Sequence, residues 1–170
     1  MPQVERSFVS TESGRIHIAV AGAGAPVLLL HQTPRSWDEF RDVLPLLGRH
    51  YRAIAMDTVG YGDSDPLPQG QASIENWATA AHALLHALGV ARAAIVGHHT
   101  GAAIAVEMAA AYPASVAALV LSASPYVDAA RRAAAQKEHK AVVDEATPRM
   151  MGATLRSSGR CASRFIRTTA

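Results

Sequence analysis

Cysteine is nearly absent from this 170-residue chain: Cys161 stands alone, so an intrachain disulfide is impossible and a bridge-dense secreted scaffold is excluded. Aromatic residues make up 5% and charged residues 18%. Long hydrophobic runs are also missing. Gly97, His98, His99, Glu107 and Pro113 interrupt the most apolar stretch, well short of the roughly 18 residues a membrane span needs. The opening Met-Pro-Gln-Val-Glu-Arg-Ser carries no basic patch followed by an apolar segment, so no secretory signal is expected and the default location is cytoplasmic. What the chain does hold is apolar: 49% hydrophobic residues with 12 Gly and 9 Pro, the composition of one ordinary globular domain with a sizeable core. A disordered or collagen-like chain does not look like this.

The formal charge of +2 is unevenly distributed. Residues 1–148 hold all 14 acids and eleven of the 16 Lys/Arg, a balance of −3, whereas residues 149–170 hold Arg149, Arg156, Arg160, Arg164 and Arg167 and no acid. The basic pI therefore belongs to the tail. Its arginines are interleaved with Ser and Gly, without aromatic periodicity or a helical face, so neither nucleic acid nor a membrane is the expected partner.

Hydrophobic periodicity organises the rest. Arg6–Val9 and Gly14–Val20 read as an antiparallel hairpin around the polar turn Ser10–Ser13. In the second strand Ile16, Ile18 and Val20 alternate with Arg15, His17 and Ala19, the pattern of a half-buried strand. Val27–Leu30 is a short continuous apolar run that suits a strand buried on both faces of a mostly parallel sheet, and Tyr51–Met56, Ala93–Val96 and Val116–Leu121 read as further strands. Between them lie helical patterns: Trp37, Phe40, Val43, Leu44 and Leu47, disturbed at Pro45; Ile74 to Leu88, stopped by Gly89; and Ala102–Tyr112, closed by Pro113. Ser36-Trp-Asp-Glu39 has capping-box spacing at the first of these. From residue 27 the order β-α-β-α-β-α-β predicts a doubly wound, mostly parallel α/β sheet with an N-terminal antiparallel hairpin.

Gly97-His98-His99-Thr100-Gly101 sits between an apolar strand and a helix, the setting of a nucleophile elbow, a turn so tight that its neighbours must be small and its central side chain stands above the sheet. Two other segments end strands at the same side: the His31-Gln32-Thr33-Pro34 loop and the glycine-rich Asp57–Ser64 turn, where a structural role is expected for Asp57. With these three segments, residues 1 to about 148 resemble the N-terminal half of the α/β-hydrolase superfamily, in the branch of epoxide hydrolases, haloalkane dehalogenases and proline iminopeptidase-like enzymes. The resemblance implies a cofactor-independent hydrolase of a small ester, epoxide, amide or halide. It implies an oxyanion hole from the backbone amides of Thr33 and Thr100, structural glycines at Gly97 and Gly101, and a site shaped by His31, Gln32 and His98. A helical cap would begin near residue 125.

Two positions depart from that family: His99 stands where the nucleophile is Ser, Asp or Cys, and Gln32 stands where Gly follows the histidine. An imidazole can attack an acyl centre, serve as a general base for water, or mark a non-hydrolytic, ligand-binding or inactive member of the fold. No metal is expected. His31, His98 and His99 lack a carboxylate or Cys to complete a site, and His82 and His86, at i and i+4, lack a glutamate after the first histidine. Gly60-Tyr-Gly62 is not a dinucleotide fingerprint.

A triad would need an acid and a histidine after the elbow, and His139, Asp128 and Asp144 lie in a polar stretch that reads as incipient cap. Eight strands with their crossovers would take about 240 residues. The expectation is thus a truncated core over 1–148, with 149–170 a basic, out-of-frame tail. Val116–Leu121 would then be an unprotected edge, inviting dimerisation or aggregation.

Overall fold

Six strands form one sheet in the order β1-β2-β4-β3-β5-β6. They are β1 (Val4–Thr11), β2 (Gly14–Ala21), β3 (Pro26–Leu30), β4 (Arg52–Met56), β5 (Ala93–His98) and β6 (Val116–Ser122). The computed structural model describes residues 2–68 and 70–125, within the unit Met1–Pro125. The cap expected from about residue 125, Asp128, His139, Asp144, the boundary at 148 and the arginine-rich tail lie outside the described residues.

β1 and β2 pair antiparallel, as do β2 and β4, whereas β3 pairs parallel with β4 and β5, and β5 parallel with β6. The inner parallel strands are largely apolar because both faces are covered, whereas β6, at the edge of the sheet, leaves Leu119, Val120 and Leu121 exposed. Successive side chains alternate between faces, so Leu28, Leu30, Ile54, Met56 and Ile95 join Ala81, Leu84, Leu85, Ile104 and Met108 of helices α2 (Ile74–Ala87) and α3 (Thr100–Ala111). On the other face Ala19, Ala21, Leu29, Ala53 and Ala55 meet Phe40 and Leu44. Large residues thus face the long helices, and alanines face the short elements. Among the described residues no helix is long and apolar enough to cross a membrane.

Three sequence expectations need correction. The pattern over Trp37–Leu47 is not one helix but a 3-10 turn, Trp37–Phe40, and a four-residue helix, α1 (Leu44–Leu47). Pro45, in the first turn of α1, has no N–H to continue a helix from upstream, so the helix restarts. Ser36 caps the 3-10 turn by accepting from the Asp38 N–H, but Glu39 does not complete a capping box, because its carboxylate is drawn elsewhere. In β2, His17 and Ala19 are buried rather than facing solvent, since β2 lies inside the sheet between β1 and β4. Smaller shifts lengthen β1 to Val4–Thr11, extend β5 through His98 and start α3 at Thr100 rather than Ala102.

Candidate active site

The register Leu30↔Met56 and Leu30↔Gly97 sets the ends of β3, β4 and β5 side by side, so the loops leaving His31, Asp57 and His98 emerge from one edge of the sheet. Open α/β sheets bind ligands at this carboxyl edge. The site residues singled out from the sequence lie in the loop after β3 (His31, Gln32, Thr33) and at the junction of β5 with α3 (Gly97, His98, His99, Thr100, Gly101).

The turn from β5 into α3 is tight because two glycines permit it. A Cβ on Gly101 would overlap the Leu30 carbonyl, and one on Gly97 would overlap the Gly101 carbonyl, so any larger residue would push α3 away from β3. Between them His99 adopts φ +50° and ψ −112°. A positive φ is rare for a residue bearing a Cβ and costs roughly 1–3 kcal/mol. The conformation is held on both sides. The His99 N–H donates to the Ser122 carbonyl (2.9 Å), and the His99 carbonyl accepts from the Ala102 N–H (2.9 Å). Its imidazole is left exposed, with Nδ1 3.3 Å from the Thr100 hydroxyl.

Thr33 joins this turn from the neighbouring loop, its hydroxyl 3.0 Å from that of Thr100. Among the described residues neither the Thr33 nor the Thr100 backbone N–H is paired with an acceptor. Two free amides therefore lie on residues that touch each other beside His99. Burial pushes the Tyr61 phenol up from 10.0, partly offset by a hydrogen bond with the Thr33 side chain.

His31 is fully buried and shapes the loop from beneath. Its Nε2 accepts from the Thr58 N–H (3.0 Å), so Nδ1 carries the proton and donates to the Gln32 carbonyl (2.8 Å). Burial lowers its pKa below 6.5, against the raising effects of the Gln32 carbonyl, Asp57 and Glu39, while Arg35 lowers it further. The unfolded chain therefore takes up this proton first. Stability from this residue is full above about pH 6.5 and is lost as pH falls through the folded-state value. Urea midpoints taken between about pH 8 and pH 5.5 should fall for the native chain, and that slope should flatten in His31→Gln. Equal slopes for the two proteins would show that His31 is not the group responsible.

Two polar clusters escaped the sequence. Glu39 Oε1 accepts from His98 Nδ1 at 2.7 Å, and its Oε2 accepts from the Gln32 N–H at 3.4 Å, so this carboxylate ties the 3-10 turn to the end of β5 and to the loop that carries Thr33. Below it, His17 Nδ1 donates to Asp57 Oδ2 (2.9 Å), with both side chains buried. Asp57 also accepts from the Trp37 N–H (2.6 Å) and the Asp63 N–H (2.9 Å), while Ser64 Oγ bridges the Asp57 carbonyl and the His17 N–H. His17, Asp57 and Asp63 bring ligand-type atoms within 4.8 Å of one another, but the Asp57 oxygens already serve protein donors, and the cluster acts as a structural knot. The Asp57–Ser64 turn singled out in the sequence supplies Asp57, Asp63 and Ser64, but no short motif marks their partner His17 or the Glu39–His98 pair, because those contacts join segments far apart in the chain.

Other histidines stand apart from this edge. His82 stacks on Tyr112 with ring centroids 4.0 Å apart, and His86 is exposed on the same helix. A cavity of about 440 Å³, lined by Pro26, Arg52, Val90 and Arg92, opens at the opposite, amino ends of the parallel strands. A second of about 440 Å³ lies beside the β1–β2 turn, lined by Gly14, Asp65 and Asn76.

A mixed sheet with two long helices on one face and short helical elements on the other, and with a strained strand-to-helix turn at its carboxyl edge, defines a hydrolase-type α/β architecture. The sequence model of the alpha/beta hydrolase fold matches residues 25–141, more than half of the chain, and the chain belongs to that family. It is 39% identical over 127 residues to epoxide hydrolase 3 of Siraitia grosvenorii, covering 71% of this chain and 39% of that protein. It is 37% identical over 91 residues to the soluble epoxide hydrolase of Corynebacterium sp. (strain C12), covering 54% of this chain and 32% of that one. Among solved structures, an epoxide hydrolase from an endophytic Streptomyces superposes with a TM-score of 0.69 at 37% identity, over 73% of this chain and 38% of its own. The chain spans less than half the length of each of these relatives.

Proposed function

We propose that the chain carries the reacting-group side of a cofactor-independent hydrolase site for a small ester, epoxide, amide or halide, with His99 as the nucleophile. The observation that carries this reading is the backbone of His99. The fold bears the strain of φ +50° at the residue whose imidazole stands exposed beside two amides that are unpaired among the described residues. Strain of this kind concentrates where a side chain must be presented rather than packed. The relatives named as epoxide hydrolases support the epoxide among these bond classes.

On an ester, His99 Nε2 would attack the carbonyl carbon, since Nδ1 lies within reach of the Thr100 hydroxyl. A C–N bond forms, the carbonyl electron pair moves to oxygen, and the Thr33 and Thr100 N–H groups donate to that oxyanion. One such donor is commonly worth about 10²–10³ in rate. Collapse expels the alkoxide or aryloxide, which takes its proton from solvent, and leaves a cationic acyl-imidazole. Water then attacks the acyl carbon, the C–N bond breaks, and the acid is released with the ring restored.

Assays with p-nitrophenyl acetate and an aryl epoxide test this reading. The native chain should turn over at least one of them above buffer, and His99→Ala and His99→Ser should each lower kcat about 10²-fold or more. Turnover unchanged in His99→Ala would overturn the role of His99. No turnover by the native chain would leave a ligand-binding member of the fold.

A further inference from the structure

We propose that Glu39 and His98 are the acid–base pair of this site: Glu39 sets the tautomer and aim of the His98 ring, and His98 Nε2 takes the proton from the water that resolves the acyl-His99 intermediate. The inference rests on the hydrolase reading above and supplies what that reading lacks, a base for the second step.

The tautomer follows from the partner. An ionised carboxylate can only accept, so at 2.7 Å from Glu39 Oε1 it is His98 Nδ1 that carries the proton, and the lone pair of the neutral ring lies on Nε2. Among the described residues Nε2 is paired with no protein atom. This is the relation of carboxylate to base in a hydrolytic triad, where the acid orients the imidazole and steadies its cation. Exposure matches the division of labour. The Glu39 side chain is 12% exposed and that of His98 34%, so the carboxylate is largely shielded from solvent while water reaches the ring.

Both partners stand on rigid supports, as a working pair must. His98 is the last residue of β5 and registers with Ser122 of β6. Glu39 lies in the 3-10 turn, which is fixed by the Ser36 cap and by the Trp37 N–H bond to buried Asp57. Its second oxygen accepts from the Gln32 N–H, one residue before Thr33. The pair is therefore tied both to the loop of one free amide and, through the chain, to His99 itself.

The step balances. Water oxygen bonds to the acyl carbon of the cationic acyl-imidazole, the C–N bond to His99 breaks with its electron pair returning to the ring, and the water proton passes to His98 Nε2. His98 then releases that proton to solvent. The positive charge moves from one imidazole to its neighbour, steadied by Glu39.

Two readouts on the full chain separate this role from a merely structural tie. Imidazole ¹⁵N NMR without substrate should show His98 with its proton on Nδ1 in the native chain and a mixture of tautomers in Glu39→Gln. Stopped-flow hydrolysis of p-nitrophenyl acetate should give the native burst of nitrophenolate in Glu39→Gln and His98→Gln, followed by a steady state slowed about 10²-fold in His98→Gln and less in Glu39→Gln. The double variant should be no slower than His98→Gln, because the two residues act as one unit. A native steady-state rate in either variant, or an unchanged His98 tautomer in Glu39→Gln, overturns the proposal. If the native chain shows no burst, acylation of His99 fails and the proton-transfer step falls with it; the NMR result then still decides whether Glu39 sets the ring.

Discussion

Gly101→Ala is expected to lower the unfolding free energy by about 3 kcal/mol or more, at the upper end of what overpacking a close-packed interior costs. Helix propensity points the other way. Gly101 is the second residue of α3, where alanine would gain up to about 1 kcal/mol over glycine. The contact decides the sign: the added methyl would overlap the Leu30 carbonyl and crowd that of His31, both backbone atoms of β3 and the loop after it. A flexible side chain could swing aside, but a buried strand locked into ladders on both sides cannot. Relief requires α3 to retreat from the sheet, which would also draw Thr100 away from Thr33 and undo their 3.0 Å contact. Urea denaturation followed by far-ultraviolet circular dichroism gives the stability change. A loss under about 1 kcal/mol would mean that α3 does not press on β3 as described. On the proposed hydrolase reading, such a tolerant protein should also hydrolyse p-nitrophenyl acetate at the native rate, whereas a retreating helix would lower rate and stability together.

The sheet was legible because its parallel strands need no alternation. Val27–Leu30 and Ala53–Met56 are covered on both faces, and a continuous apolar run bounded by turn residues is the pattern that such burial writes into sequence. The turn at His99 was legible for a local reason too, since Gly97 and Gly101 flank it within five residues. His17 was not. Its neighbours alternate as they would on an exposed hairpin, and only the pairing of Ile18 with Met56, thirty-eight positions on, places it inside the sheet. Glu39 was misread for the same kind of reason. Ser-x-x-Glu spacing suits a capping box, but the 3-10 geometry of Trp37–Phe40 and a histidine 59 residues away redirect the carboxylate. Local spacing records which residues are near in sequence; the polar groups that organise this site meet across the sheet.

Asp57→Ala should cost about 3–5 kcal/mol, because the buried carboxylate serves several donors and each one left unsatisfied costs about 1–3 kcal/mol. The Asp57 side chain is 1% exposed and that of His17 4%, so water is not at hand to replace the missing acceptor. Three donors would be stranded together: His17 Nδ1, the Trp37 N–H and the Asp63 N–H. Asp57→Asn separates the contributions. It keeps Oδ1 as acceptor for Trp37, and a neutral His17 can switch tautomer to accept from the new amide, but the Asp63 N–H then faces a donor. A cost of about 1–3 kcal/mol, that of one buried unsatisfied group, is expected for this variant. The double variant Asp57→Ala/His17→Ala should recover part of the Asp57→Ala loss, since neighbours that share one network are not additive. Urea denaturation of the native chain, these three variants and His17→Ala measures all of these differences. Additive losses would deny the pair, and a cost below about 1 kcal/mol for Asp57→Ala would deny the knot altogether. The consequence for the site follows through Trp37. That residue opens the turn that carries Glu39, so a chain without the Asp57 carboxylate should also lose the Nδ1–H tautomer of His98, even though Asp57 touches neither residue of the pair.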